Sequence, residues 1–422
     1  MNARARQAAL AAGLLATVSG CAAVERLREK LGFVSNVPAP PPTPTPSGVP
    51  APFPDYLLAA FPDARGVRVD PQSPNLSLAA ETSLTRDDTH RHRGAPRFSP
   101  DGRLVAWGEV SPDERRLMIR KLDGVEIRRV TLLAGPHKPA RVDTMITPLS
   151  WAPSSDAFAY TRETTLGAFE VVISDLAGVG RRVTGPPAVD GALAWSPDGD
   201  RILYVPATHQ DELWTVPTQS RVASRLARAP AAIQSFQFSA DGKRIVLAAG
   251  ADKHDIYTAE IAHLGEANAF HPLTRWMFDD VSPSFSPDGT RVAFYSSFRP
   301  LGAGPGWSLL VVFADGSDGG AGAALMDRVL SGTAEVHEVT PPPAWLPDGS
   351  AVAAIEPQSD EYHAVVLFDS LRHTRRELNP ESVTNEDVTV SSDGLFAWRA
   401  RNDWGDQIMI GLAARGAVRI ER

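Results

Sequence analysis

Between Pro96 and Trp398 the chain writes one phrase seven times: an aromatic or apolar residue, a Ser-Pro-Asp-Gly-like turn, then a short β-branched and aromatic run. The copies read PRFSPDGRLVAW from Pro96, LSWAPSSDAFAY from Leu149, LAWSPDGDRILY from Leu193 and FQFSADGKRIVL from Phe236. PSFSPDGTRVAF from Pro283, PAWLPDGSAVAA from Pro343 and VTVSSDGLFAW from Val388 complete the set. The marker residue falls at Phe98, Trp151, Trp195, Phe238, Phe285, Trp345 and Val390, at intervals of 53, 44, 43, 47, 60 and 45 residues. A repeat of that length points to a propeller array.

Each copy is a β-hairpin in the making. β-formers such as Ile202-Leu-Tyr-Val205 flank a turn whose Pro pre-sets φ and whose Asp-Gly supplies a left-handed backbone. Two further runs follow, for example Glu212 to Val216 and Arg221 to Leu226, or Trp307 to Phe313 after Phe294. Four strands per unit make a sheet with two faces to cover, and stacking units around a ring covers both. The expected fold is all-β, a seven-bladed β-propeller of four-stranded antiparallel blades, with six blades the alternative count.

The motif PxFSPDGxxVAF resembles the TolB-type propeller repeat, a relative of the WD repeat, over roughly residues 80 to 422. The second copy departs from it, with Pro-Ser-Ser for Pro-Asp-Gly, and the seventh lacks the Pro. The TolB family also carries a separate N-terminal α/β domain, for which the stretch ahead of the first blade is too short. The resemblance therefore implies the propeller and not the family's role.

Residues 1–20 read as a signal peptide: Arg4 and Arg6, an apolar Ala8 to Val18, then Val18-Ser-Gly-Cys21 resembling a lipobox around the only cysteine. Lipidation is expected at Cys21, with residues 21–54 the lipidated anchor and Pro-rich linker. Val24 to Leu31 could form two amphipathic helical turns. Val37 to Pro54 holds nine prolines, an extended spacer reaching on the order of 55 Å. Ala22 after the cysteine resembles outer-membrane sorting in a Gram-negative cell; otherwise the cell surface is expected. Residues 55–95 form an N-terminal segment and residues 96–422 the propeller. Within that segment, Asn75 to Thr85 is strand-like and is expected to latch the outer edge of the last blade. The last unit also offers four runs of its own, the fourth at Ala417 to Ile420.

Without residues 1–20 the chain has 40 basic and 50 acidic residues, since Arg4 and Arg6 are lost from 42; the net charge of −10 argues against nucleic acid. There is no G-x-S-x-G elbow, no H-E-x-x-H and no Gly-rich phosphate loop, so no fused hydrolase is expected. A site built by the ring itself would use the loops leading into each innermost strand, here called inlet loops. These hold His92 and Arg93, then His137, Arg141 and Asp143, then Asp190. Farther round come Trp276 and Asp280, Glu335 and His337, and Asp387. They form the candidate binding face, with no cofactor, metal or catalytic residue assigned. His90-Arg-His92 and Asp315 to Gly320 are faint metal-like patterns read as a polar loop and a turn. The long Gly/Ala-rich insert from Gly316 to Pro343 is a candidate recognition loop. The expected function is a lipid-anchored, extracytoplasmic binding or scaffolding module whose partners are envelope proteins. The alternative is a propeller enzyme, lyase- or hydrolase-like, acting on carbohydrate at the channel mouth.

Overall fold

The structure, a computed structural model, describes residues 53–73, 75–85, 91–111, 114–134, 149–164, 166–303, 306–317, 329–336, 340–359, 362–379, 384–402 and 405–419. Cys21, the Val24–Leu31 stretch, most of the Pro-rich linker, His90, His137, Arg141, Asp143 and His337 lie outside the described residues. Among those described, no helix is long and apolar enough to cross a membrane.

The fold is a β-propeller. From the second unit to the sixth the chain runs through four antiparallel strands, innermost first. The third unit is Ala188–Trp195, Arg201–Pro206, Glu212–Pro217 and Ser224–Arg228; the fourth is Ile233–Phe238, Arg244–Gly250, His254–Glu260 and His271–Pro272. The innermost strands of successive units lie against one another from the second unit to the seventh, and Thr384–Val390 of the seventh lies against Arg97–Phe98 of the first, which closes the ring. The core is accordingly not central. It is divided into apolar layers between neighbouring sheets, such as Leu203, Val205 and Leu213 against Ile245 and Leu247, or Leu104 and Leu117 against Phe158 and Tyr160. Runs without strict alternation serve this geometry, because both faces of each sheet are covered.

The repeated turn shows why it recurs. Ser196 Oγ donates to Asp198 Oδ1 at 2.5 Å and accepts from the amide of Arg201 at 3.1 Å, while the Asp200 amide donates to Asp198 Oδ1 at 3.0 Å. The Ser99, Ser239 and Ser286 turns repeat the pattern. Gly199 closes its turn at φ +81°. In the second copy, which lacks the glycine, Ser155 takes the same left-handed conformation at φ +63°. Its Oγ accepts from the amide of Asp101 at 3.0 Å, so the departure from the motif ties the second unit to the first. The arginine beginning the second strand clasps the next unit: Arg291 donates to the Gly349 carbonyl at 2.9 Å and sits 5.0 Å from the Trp345 ring centroid.

The last unit departs from the run of four strands expected for it. Its inner three are Thr384–Val390, Leu395–Asn402 and Gly405–Arg415. Gly416, at φ +57°, turns the chain away, and Val418–Arg419 pairs instead with Val67–Arg68. The outer edge is taken by Leu76–Ser83, antiparallel to Gly405–Arg415 from Leu76↔Arg415 to Ser83↔Met409. A short helix, Asp55–Ala60, and a 3₁₀ turn, Pro62–Gly66, lead into it, and Phe53, Leu57, Leu58 and Phe61 bury themselves in the layer between the seventh and first units.

Candidate functional site

Inlet loops and the loops between the second and third strands gather at one end of the ring. Among the described residues four inner strands arrive there with a register irregularity, and in two of them a non-glycine residue is left-handed. Ser282 and Asp387 hold φ of +52° and +57°, each within a register irregularity, Val281 to Ser284 and Glu386 to Thr389. Such bulges re-aim side chains at a strand end, and a left-handed non-glycine residue persists only where its surroundings hold it. Asp387 is held by Arg399, whose Nε donates to Oδ2 at 2.9 Å.

That ion pair belongs to a buried charged cluster where the first and seventh units meet. Arg399 also bonds Glu386 and lies 3.5 Å from Asp406. On the first unit's side Glu109 accepts from Trp107 at 2.9 Å, Arg93 at 3.0 Å and Arg116 at 2.6 Å. Arg93 crosses between the units, its amide donating to Asp406 Oδ2 at 2.9 Å and its guanidinium to the Asp406 carbonyl. Burial by itself would lower the Arg399 pKa, but Asp387, Glu386 and Asp406 raise it. Burial would likewise raise the Glu109 pKa; the Trp107 hydrogen bond, Arg93 and Arg116 bring it below its usual value. Every member is committed to another.

Across the ring, the fifth unit presents a different surface. Trp276 and Phe278 in its inlet loop and Phe298 beyond its second strand form an aromatic trio. Trp276 stacks on Phe298 at 5.2 Å, and Phe278 meets both edge-on at 5.0 and 5.1 Å. All three remain partly exposed, and beside them Met277 (81% exposed) and Leu301 stand in solvent with Arg275 and Arg299. Beneath lies Asp280, fully buried, accepting from Trp276 Nε1 at 2.6 Å and from Ser296 at 2.5 Å. Burial pushes its pKa up to about 7, although the bonds from Ser296, Thr274 and Trp276 work the other way. Neighbouring Asp279 accepts from His254 at 2.8 Å through both its amide and its ring.

The remaining face residues are scattered. Asp190 accepts from Thr161 at 2.6 Å and pairs with Arg115 of the first unit, spanning the second. His92 Nδ1 lies 3.8 Å from Asp406. Glu335 and Asp387 line a small cavity with Tyr295, whose burial, reinforced by Asp387, raises the phenol pKa. Arg93, Asp280 and Asp387 are buried within the ring, and of the assigned residues that are described Trp276 alone joins an apolar exposed patch. Among the described residues no three His, Cys, Asp or Glu side chains gather so as to hold a metal ion. Asp315 accepts from the Ser317 amide at 2.9 Å, as a turn residue does. Sequence reasoning passed over Glu109, Arg399 and Asp406; the signal is clearest at Glu109, a charge interrupting an otherwise apolar run.

No protein-family model matches the sequence, and no curated protein matches it. Among solved structures the chain is similar to TolB from Acinetobacter baumannii. That likeness has 17% identity and a TM-score of 0.45, over 71% of this chain and 66% of that one, just under two thirds of its length. It is also similar to a putative TolB from Agrobacterium tumefaciens, with 20% identity, TM-score 0.40, and 53% and 78% of the two chains covered. Both are likenesses of fold.

Proposed function

We propose that this chain is a lipid-anchored, extracytoplasmic protein-binding module, docking an envelope protein on the inlet-loop face at the fifth unit. The observation that carries the reading is the aromatic trio of Trp276, Phe278 and Phe298 flanked by exposed Met277 and Leu301. Aromatic residues, Met and Arg are the side chains enriched at protein–protein interface cores, and a rigid ring presents them without an ordering cost. The charged groups of the same face are spent on one another, as the cluster around Arg399 and Glu109 illustrates, which suits a scaffold. The signal-like leader, the lipobox-like Cys21 and the proline-rich spacer support tethering at a membrane, with the ring held away from it.

Two measurements test the reading. Cys21→Ser should move the chain from the membrane to the soluble fraction. A photo-crosslinker at Met277 in membrane-bound full-length protein should capture one envelope protein. Capture should be lost in Trp276→Ala and kept in Leu371→Glu, an exposed site on the opposite face. Capture insensitive to Trp276, or membrane retention of Cys21→Ser, would refute the corresponding half.

A further inference from the structure

At the opposite end of the channel, where the inner strands run out into their turns, the seventh, first and second units enclose an open pocket of about 300 Å³. This is the low end of the range for small-molecule sites. Its walls are tied together: Ser392 Oγ donates to the Pro100 carbonyl at 2.8 Å, joining the seventh and first turns. Phe98 and Trp151 give it aromatic sides, and Thr389 adds a hydroxyl.

Two donors in this lining are enclosed and have no hydrogen-bond partner among the described residues: Arg97 Nε and Trp151 Nε1. The contrast with the other marker tryptophans is direct. Trp195 Nε1 donates to the Gly199 carbonyl at 3.1 Å, and Trp345 Nε1 donates to the Ser284 carbonyl of the preceding unit at 3.3 Å. Trp151 stands at the same repeat position, yet its N–H is left over. Buried donors are almost always paired, so two orphans lining one pocket ask for a shared acceptor. Among the described residues the Arg97 guanidinium also lacks a counter-charge of its own. The carboxylate whose field reaches it is Asp387, and Asp387 is committed to Arg399.

We propose that this pocket binds a small monocarboxylate with an apolar or aromatic body. The carboxylate accepts from Arg97 and from the Trp151 indole, and the body lies between Phe98 and Trp151. The guanidinium fork matches a carboxylate geometrically. A single cation offsets a single negative charge, and Asp387 nearby disfavours a dianion such as phosphate. The site is independent of the protein-docking face, which lies at the other end of the ring.

Benzoate, acetate and phosphate are the probes, titrated at constant ionic strength into the full mature chain. Tryptophan emission and the unfolding midpoint are the readouts. Benzoate is expected to bind saturably and to raise the midpoint, acetate to bind more weakly, and phosphate weakest. Arg97→Gln should weaken benzoate about tenfold or more, the fold-change of losing a charge-assisted bond. Trp151→Phe, which keeps a ring and removes only the N–H, should weaken it by about two- to tenfold. No saturable response to benzoate, phosphate binding as tightly as benzoate, or unaltered affinity in Arg97→Gln would overturn the proposal. Should Arg97→Gln not fold, Trp151→Phe decides, and unchanged benzoate affinity there overturns it as well.

Discussion

Thr85 and Ile408, 323 residues apart, are joined: the Ile408 amide donates to Thr85 Oγ1 at 3.0 Å. The Leu84 amide returns the bond to the Ile408 carbonyl at 2.8 Å. The chain that begins the domain thus ends the ladder on its last sheet, and the sheet edge that would otherwise lie open is covered.

Ring closure by this strand predicts an asymmetry between two deletions. Removing residues 75–85 should lower the unfolding midpoint by several degrees, because Ala79, Ala80 and Leu84 leave the apolar layer with the strand. Removing residues 22–50 should not, as among the described residues the buried N-terminal ones begin at Phe53. Thr85→Val isolates the hydrogen bond and should cost about 1–3 kcal/mol, the penalty of orphaning a buried amide. Superimposable calorimetric traces for the two deletions would remove the latch from the account.

Arg399 is the cation on which Glu386, Asp387 and Asp406 converge. Arg399→Gln leaves those carboxylates buried without it and should destabilise the fold by about 3–5 kcal/mol. Arg401, which approaches two of the same carboxylates with a side chain 37% exposed, should cost under about 1 kcal/mol as Arg401→Gln. Urea unfolding of the two variants distinguishes them; comparable losses would mean that the cluster is not desolvated as described.

Glu109 and Asp280 predict opposite responses to pH. The folded-state pKa of Glu109 lies below its unfolded value, so its stabilisation is complete above the unfolded carboxylate range and drains away as pH falls through it. Glu109→Gln should flatten the acid limb of the stability curve below about pH 5.

Asp280 has a folded pKa of about 7 against an ordinary value of 3.8. The folded state therefore holds the extra proton, and stability attributable to this group falls as pH rises from 3.8 to about 7. Asp280→Asn loses part of its hydrogen bonding at every pH, but its deficit relative to the parent should shrink across that interval. Midpoints measured at several pH values check this, and a constant difference would place Asp280 outside the titrating groups.

Gly199 sits at φ +81° with nothing nearer than 4.0 Å to an added Cβ. Gly199→Val should therefore cost about 1–2 kcal/mol through the backbone alone, and Gly199→Asn distinctly less. An unchanged melting point for the valine variant would contradict the left-handed turn.

Local physics wrote most of this fold into the sequence. The Ser-x-Asp-Gly turn is closed by its own side chains, and the β-branched runs around it can be covered only by neighbouring sheets, so strands, units and ring follow from short-range pattern. Even the second copy keeps its turn, because Ser155 adopts the conformation its missing glycine would have taken. Local pattern could not settle which of two strand-like runs covers the last sheet. Val418–Arg419 and Leu76–Ser83 both have the composition, and a left-handed Gly416 together with the bonds from Thr85 and Leu84 to Ile408 decided between them. The site divided in the same way. Trp276 and Asp280 were visible as inlet-loop residues, but that one is part-exposed in an aromatic trio and the other buried beneath it depends on Phe298, a strand away. Glu109 and Asp406 are joined through Arg93 only because the ring closes, and contacts created by closure have no signature in the order of the residues.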